Sequence, residues 1–148
     1  MDRSIIAFKG AYRFLSNFHP SPIQYNGLTY PTVEHAYQAA KVLDGVTRAQ
    51  IRAAATAKDA RRLGRAYAVR SDWDQIRVAV MEDLVRLKFT QNESLARQLL
   101  ATDDARLEEG NWWGDTFWGT VDGFGENILG KILMRVRDEL RECSQNQT

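Results

Sequence analysis

The strongest local constraint in this chain is a change of period between Ile23 and Val33. Ile23-Gln24-Tyr25 and Leu28-Thr29-Tyr30 flank Asn26-Gly27. Asn-Gly between two short β-prone runs is a strong hairpin signal, because both turn residues must take positive φ. Pro31-Thr32 follows, and the period then lengthens to that of a helix. Val33, Ala36, Tyr37, Ala40 and Leu43 share one face, Thr32 is the expected N-cap and Gly45 the expected stop. A hairpin feeding directly into a helix limits the chain to folds in which a small sheet sits beside helices.

The rest of the sequence is mostly helical in pattern. Ile5-Ile6-Ala7-Phe8 reads as a short strand, and Thr47 to Tyr67 as one or two short helices broken near Gly64. A helix follows Trp73, with Ile76, Val80, Leu84 and Leu87 at helical spacing. Another is expected from Ser94 to Leu100, and a last amphipathic one carries Ile128, Leu129, Ile132, Leu133, Val136 and Leu140. Asp103 to Asn127 has no sustained period, yet it holds Trp112, Trp113 and Trp118 among Gly110, Gly114, Gly119, Gly123 and Gly125. Irregular stretches of that length in a compact chain tend to be functional. The three tryptophans cannot all stack on one ligand, so at least one is expected in the core. The fold class implied is α+β: a mainly helical single domain over residues 1–148 with a small N-terminal antiparallel β-sheet.

With 148 residues, 44% hydrophobic and 26% charged, the chain can bury a core and has the profile of a globular protein. Its lone Cys143 cannot form an intramolecular disulfide, no stretch is apolar enough to span a bilayer, and Met1 to Lys9 lacks the apolar run of a signal peptide. A cytoplasmic location is the expectation. The net charge of +1 hides an uneven distribution: seven basic residues and one acid between Arg48 and Arg70 give that segment +6. A local basic stretch on a balanced whole fits recognition of a few phosphates better than a broad nucleic-acid footprint, although a solvated helix face accounts for most such arginines equally well.

Several motifs fail. Gly125 to Lys131 imitates a phosphate-binding loop, but Ile132 stands where Ser or Thr would hold Mg²⁺. Gly123-Phe124-Gly125 begins a dinucleotide fingerprint whose third glycine is replaced by Ile128. His19 and His35 are far apart, one cysteine cannot build a zinc site, and His35 lacks the local signature of a catalytic triad. No metal or redox cofactor is expected.

Glu34, Gln38 and Lys41, spaced i, i+4, i+7, fall on one helical stripe beside the apolar one. With Thr32 as cap, Glu34 lies in the first turn, where the helix dipole favours negative charge. Such a carboxylate suits stabilising a ribosyl oxocarbenium ion or activating water against it. A lysine on the same stripe could bind phosphate, or attack the anomeric carbon if burial lowers its pKa. The same spacing also describes a solvated Glu–Lys pair.

At these residues the sequence resembles the NADAR (YbiA-like) family, whose characterised members are N-glycosidases. The match runs through Phe14-Leu15-Ser16-Asn17-Phe18, Tyr30-Pro31-Thr32-Val33-Glu34-His35, Gln38-Ala39-Ala40-Lys41, Arg70-Ser71-Asp72-Trp73 and Lys88-Phe89-Thr90-Gln91. It continues through Glu109-Gly110-Asn111, Trp113 to Gly119 and Gly125 to Lys131. The resemblance implies that the residues matching Glu34 and Trp73 work in the site, and a covalent role for Lys41 through a ribosyl Schiff base is compatible with the family's chemistry. Glu34 and Lys41 are therefore the expected catalytic residues. Ser16, Asn17, Phe18, His35, Gln38 and Trp73 are expected to bind substrate, as are Asp115, Trp118, Gly119 and Asn127. For Asn17 and Asp115 a turn role competes, for Trp73 a core role, and Asn127 would cap the last helix, whose N-terminus could receive a phosphate.

The family resemblance implies two substrate groups: phosphoribosylamino-pyrimidine intermediates of riboflavin synthesis, or ADP-ribose on modified guanine in nucleic acid. Gly110-Asn111 before the Trp-Gly-Asp run departs from the riboflavin-type form and tilts the expectation toward ADP-ribosyl. The partner expected is thus a ribosylated small molecule or ADP-ribosylated nucleic acid, with no membrane and no obligate protein partner. The chief rival is a non-catalytic module that binds ADP-ribose or NAD. A third reading, binding of unmodified nucleic acid through the basic segment, predicts steeply salt-dependent affinity.

Overall fold

A computed structural model of the chain describes residues 3–146. In chain order the elements are β1 (Ser4–Ile5), a 3₁₀ turn (Gly10–Leu15), β2 (Ile23–Tyr25), β3 (Leu28–Tyr30), α1 (Val33–Ala40), α2 (Gly45–Arg52), α3 (Ala57–Arg65), α4 (Trp73–Gln91), α5 (Glu93–Leu100), β4 (Arg106–Leu107) and α6 (Ile128–Gln145). The fold is mainly helical with a two-stranded antiparallel sheet, as the sequence implied. The chain forms two compact units, Asn17–Gln91 and the segments on either side of it.

In the first unit the hairpin pairs Ile23 with Tyr30 and Tyr25 with Leu28, and Asn26 and Gly27 take φ of 52° and 80° as the turn requires. α1 follows at once, capped by the Thr32 hydroxyl, which accepts from the His35 N–H at 3.1 Å. Every residue of α1 is buried, because α2, α3 and α4 surround it. A helix buried all round can hold polar side chains only if they are partnered, and that condition builds the site described below.

Three sequence expectations shift here. α1 ends at Ala40, Gly45 opens α2 behind the Asp44 cap, and Leu43 is exposed. Ala53 to Thr56 separate α2 from α3, so Gly64 lies inside a helix instead of breaking one. The buried face of α4 is Trp73, Met81, Leu84, Val85, Lys88 and Phe89, rotated from the face the spacing suggested. Lys88 is fully buried, and desolvation pushes its amine down to about 7.

In the other unit, the expected strand near Ile5 is only Ser4–Ile5, and it pairs in parallel with β4, a strand the sequence pattern did not reveal. α6 packs on β4 and α5 through Leu129, Ile132, Leu133 and Val136. The Arg137 Nη1 donates to the Thr102 hydroxyl at 2.9 Å and to the Ala105 carbonyl at 2.8 Å, which fixes the approach to β4. No helix among the described residues is long and apolar enough to cross a membrane.

Candidate functional site

The buried polar groups of α1 converge on Glu34. Its Oε1 accepts from Gln38 Nε2 at 2.7 Å and from Arg61 Nε at 3.1 Å, while its side chain is 3% exposed. Oε2 takes no hydrogen bond from the described residues and is not sealed from solvent. The carboxylate is therefore held by one oxygen and open at the other. Its backbone N–H donates to the Asn17 carbonyl at 3.2 Å, which anchors the first turn to the segment before the hairpin.

Arg61 comes from α3. Its guanidinium carbon lies 4.6 Å from the centre of the Phe18 ring, a stacked arrangement that fixes the plane of the fork. Gln38, 3% exposed, is wedged against Gly64 of α3: a Cβ there would stand 2.1 Å from Gln38 Oε1. That oxygen has no hydrogen-bond partner among the described residues.

Lys41 is the C-cap of α1 and still helical, so the Glu34–Gln38–Lys41 stripe is real. Its amine stands 5.5 Å from the centre of the Tyr37 ring, which packs on Trp73 at 5.1 Å between centroids. Burial lowers the Lys41 pKa; Glu34 opposes that shift, and Arg65 and Arg61 reinforce it. Three cations thus share the field of one carboxylate. Such an excess favours an anionic ligand.

Other expected site residues hold different positions. Both ring nitrogens of His35 are engaged, Nδ1 with the Thr32 hydroxyl at 2.8 Å and Nε2 with the Ala54 carbonyl at 2.9 Å, and neither is left for a ligand. Trp73 is 5% exposed and backs Tyr37, so no open face remains for stacking on a base. The Asn17 amide reaches Met81 Sδ at 3.4 Å. Ser16 closes the 3₁₀ turn through its N–H to the Arg13 carbonyl and belongs to the other unit.

That unit also holds the tryptophan–glycine loop. Asp115 Oδ1 accepts from the N–H groups of Phe117 and Trp118 at 3.1 and 2.9 Å, so the turn role wins over ribose binding. Trp118 is half-buried, edge-on to Phe117. Trp112 and Trp113 are exposed, so none of the three forms the expected core residue. Gly119 allows the Glu109 carbonyl to approach where a Cβ would lie 2.1 Å away. Asn127 holds the N-cap position of α6, as expected, but its side chain bonds elsewhere: it accepts from the Glu109 N–H and donates to the Leu107 carbonyl. The N–H groups of Asn127, Ile128 and Leu129 are taken by the carbonyls of Gly119, Phe117 and Trp118, which removes the expected phosphate seat.

Sequence reasoning missed Arg61 as an individual, Tyr37 as a polar-facing aromatic, and Asn111. The Asn111 side chain bonds the backbone of Glu109 and both backbone groups of Asp115, and so braces the loop. A glycine inside a helical pattern, three residues after an arginine, was the available clue to α3, since such glycines mark close approach. Among the described residues no group of three or more His, Cys, Asp or Glu could hold a metal ion.

The NADAR domain model matches residues 7–141. The chain is 48% identical over 132 residues to a riboflavin biosynthesis protein of Vibrio vulnificus, a match covering 87% of this chain and 36% of that longer protein. It is 39% identical over 132 residues to the N-glycosidase YbiA of Escherichia coli, covering 87% of this chain and 82% of that one. An N-glycosidase of Nostoc punctiforme is 40% identical over 136 residues, with 88% and 86% covered. The NMR structure of the E. coli protein YbiA superposes with a TM-score of 0.86 at 37% identity, covering 98% of this chain and 89% of that one. By both sequence and fold, the chain belongs to the NADAR domain family.

Proposed function

We propose that this chain is an N-glycosidase that hydrolyses the bond between an anomeric ribose carbon and a base-type nitrogen, on a ribose carrying a 5′-phosphate. The observation that carries the reading is the divided carboxylate of Glu34: one oxygen fixed by Gln38 and Arg61, the other taking no hydrogen bond from the described residues. A fixed anion with one open oxygen stabilises the positive charge that develops at the anomeric carbon as the base departs. Lys41, with its lowered pKa, supplies a neutral amine more readily than an ordinary lysine. Its attack forms a C–N bond as the bond to the base breaks, and the base leaves with one proton of the amine; the ring C1′–O4′ bond then opens, the second proton passing to O4′, to give an imine that water hydrolyses to the free sugar and the amine. The relatives named as N-glycosidases support the N-glycosidase reading.

Between the two substrate groups, the riboflavin biosynthesis relative supports the phosphoribosylamino-pyrimidine. The Gly110-Asn111 motif, which had tilted toward ADP-ribosyl, has a structural explanation in the bracing role of Asn111. The test is to incubate the protein with the phosphoribosylamino-pyrimidine and with ADP-ribosylated guanine DNA, and to follow free base and sugar by mass spectrometry. Release from the pyrimidine, with a sugar adduct on the Lys41 peptide after borohydride quenching, is the expected result. Turnover without any adduct would remove the covalent step and leave water activated by Glu34. No release from either substrate, with ADP-ribose still bound, would replace the enzyme by a binding module.

The pH profile gives a second check. Arg65 helps to lower the Lys41 pKa, so Arg65→Ala should raise it. Because the neutral amine reacts, the rise of kcat with pH should begin at higher pH in the variant. An unmoved profile would mean that Lys41 does not titrate in the rate-limiting step.

A further inference from the structure

Arg61 has a division of its own. Its Nε holds Glu34 Oε1, while its two terminal nitrogens have no partner among the described residues, and its side chain is 32% exposed. The Phe18 ring beneath the guanidinium prevents the fork from swinging freely. A planar cation with one nitrogen committed to Glu34 and two without a partner among the described residues matches the bidentate geometry by which arginine grips a phosphate. Arg65 lies in the same local field, as its effect on Lys41 shows.

We propose that Arg61 is a bridging residue: its fork binds the phosphate on the ribose 5′ carbon, and its Nε thereby sets the Glu34 carboxylate against the anomeric carbon of the same sugar. This rests on the N-glycosidase reading above and adds a coupling to it. Phosphate binding strengthens catalysis as well as affinity, because one rigid group touches both ends of the reaction. Binding energy from a non-reacting part of the substrate is thus expressed in kcat. Lysine cannot replace it, since a single ammonium on a flexible stem serves the carboxylate or the phosphate but cannot span both.

The experiment compares the wild type with Arg61→Ala, Arg61→Lys and Arg61→Gln. Steady-state kinetics are measured on the phosphoribosylamino-pyrimidine, on the same riboside without phosphate, and on the ADP-ribosyl substrate. Melting curves verify folding, and the glutamine variant keeps an N–H near Glu34 should alanine fail to fold. In Arg61→Ala the preference for the phosphorylated over the phosphate-free riboside should fall by about 30-fold. Arg61→Lys should recover much of KM but not kcat. A loss confined to the pyrimidine assigns the fork to a phosphate monoester, and a matching loss on the ADP-ribosyl substrate assigns it to the diphosphate. Equal losses on phosphorylated and phosphate-free ribosides would make Arg61 a simple brace and overturn the proposal, as would an unchanged preference. Calorimetric binding of ribose 5-phosphate, lost in Arg61→Ala, supports the phosphate contact even if no substrate is turned over. Full retention of that binding in the variant overturns it independently of whether the chain is an N-glycosidase.

Discussion

Glu34→Gln should lower kcat by about 1000-fold while leaving the protein folded. Glutamine has the same shape, and its carbonyl oxygen can still accept from Gln38 Nε2 and Arg61 Nε, the two donors that now meet Oε1. Its amide nitrogen then falls where Oε2 stands, at the position with no protein partner. The substitution therefore removes charge and changes little else. The cost in stability is small because Arg61, at 32% exposure, keeps part of its hydration when the ion pair is lost. A change of about 1 kcal/mol would move Tm by about 2–4 °C in a chain of this size. Single-turnover rates and melting curves on the same preparation separate the two effects. If the variant keeps more than a tenth of the wild-type rate, the negative charge of Glu34 is not what the reaction uses.

The sequence displayed the parts of this arrangement that depend on local rules. Asn26-Gly27 fixed the hairpin, Thr32 the start of α1, and the i, i+4, i+7 spacing the alignment of Glu34, Gln38 and Lys41. What stayed hidden depends on contacts between elements distant in sequence. Nothing local distinguishes Arg61 from six other basic residues nearby, because its role is set by where α3 crosses α1. β4 escaped notice because a strand of two residues has no period to read. Asn127 and Asp115 carried the right residue types for ligand contacts, but backbone groups of their own loop claimed their side chains first. The His35 ring is held in the same way, with both nitrogens engaged by the Thr32 hydroxyl and the Ala54 carbonyl inside a helix buried on all sides.

That internal partnering makes Gly64 a sensitive position outside the charged groups. On helix propensity alone, Gly64→Ala within α3 would stabilise by about 1 kcal/mol. Packing reverses the sign. The new Cβ would lie 2.1 Å from Gln38 Oε1 and 2.9 Å from its Cβ and Cδ, so Gln38 must move. It is not a free side chain that can yield cheaply, being 3% exposed and tied through Nε2 to Glu34. Overpacking costs about 1–3 kcal/mol, and losing a hydrogen bond to a buried carboxylate adds a further penalty of about 1.5–3 kcal/mol. A net destabilisation of about 3 kcal/mol is expected. A fall of about 100-fold in kcat/KM should accompany it, because Glu34 loses one of its two holders and catalysis is sensitive to sub-ångström misplacement. The double variant with Gln38→Ala separates this account from a general disturbance of α3. Truncating Gln38 to alanine removes the Oε1 and Cδ contacts and leaves only its Cβ, at 2.9 Å, against the new methyl, so the pair should be less destabilised than the sum of the singles by at least about 1 kcal/mol. Additive losses in stability would show that the clash is elsewhere and that Gly64 does not position Glu34 through Gln38.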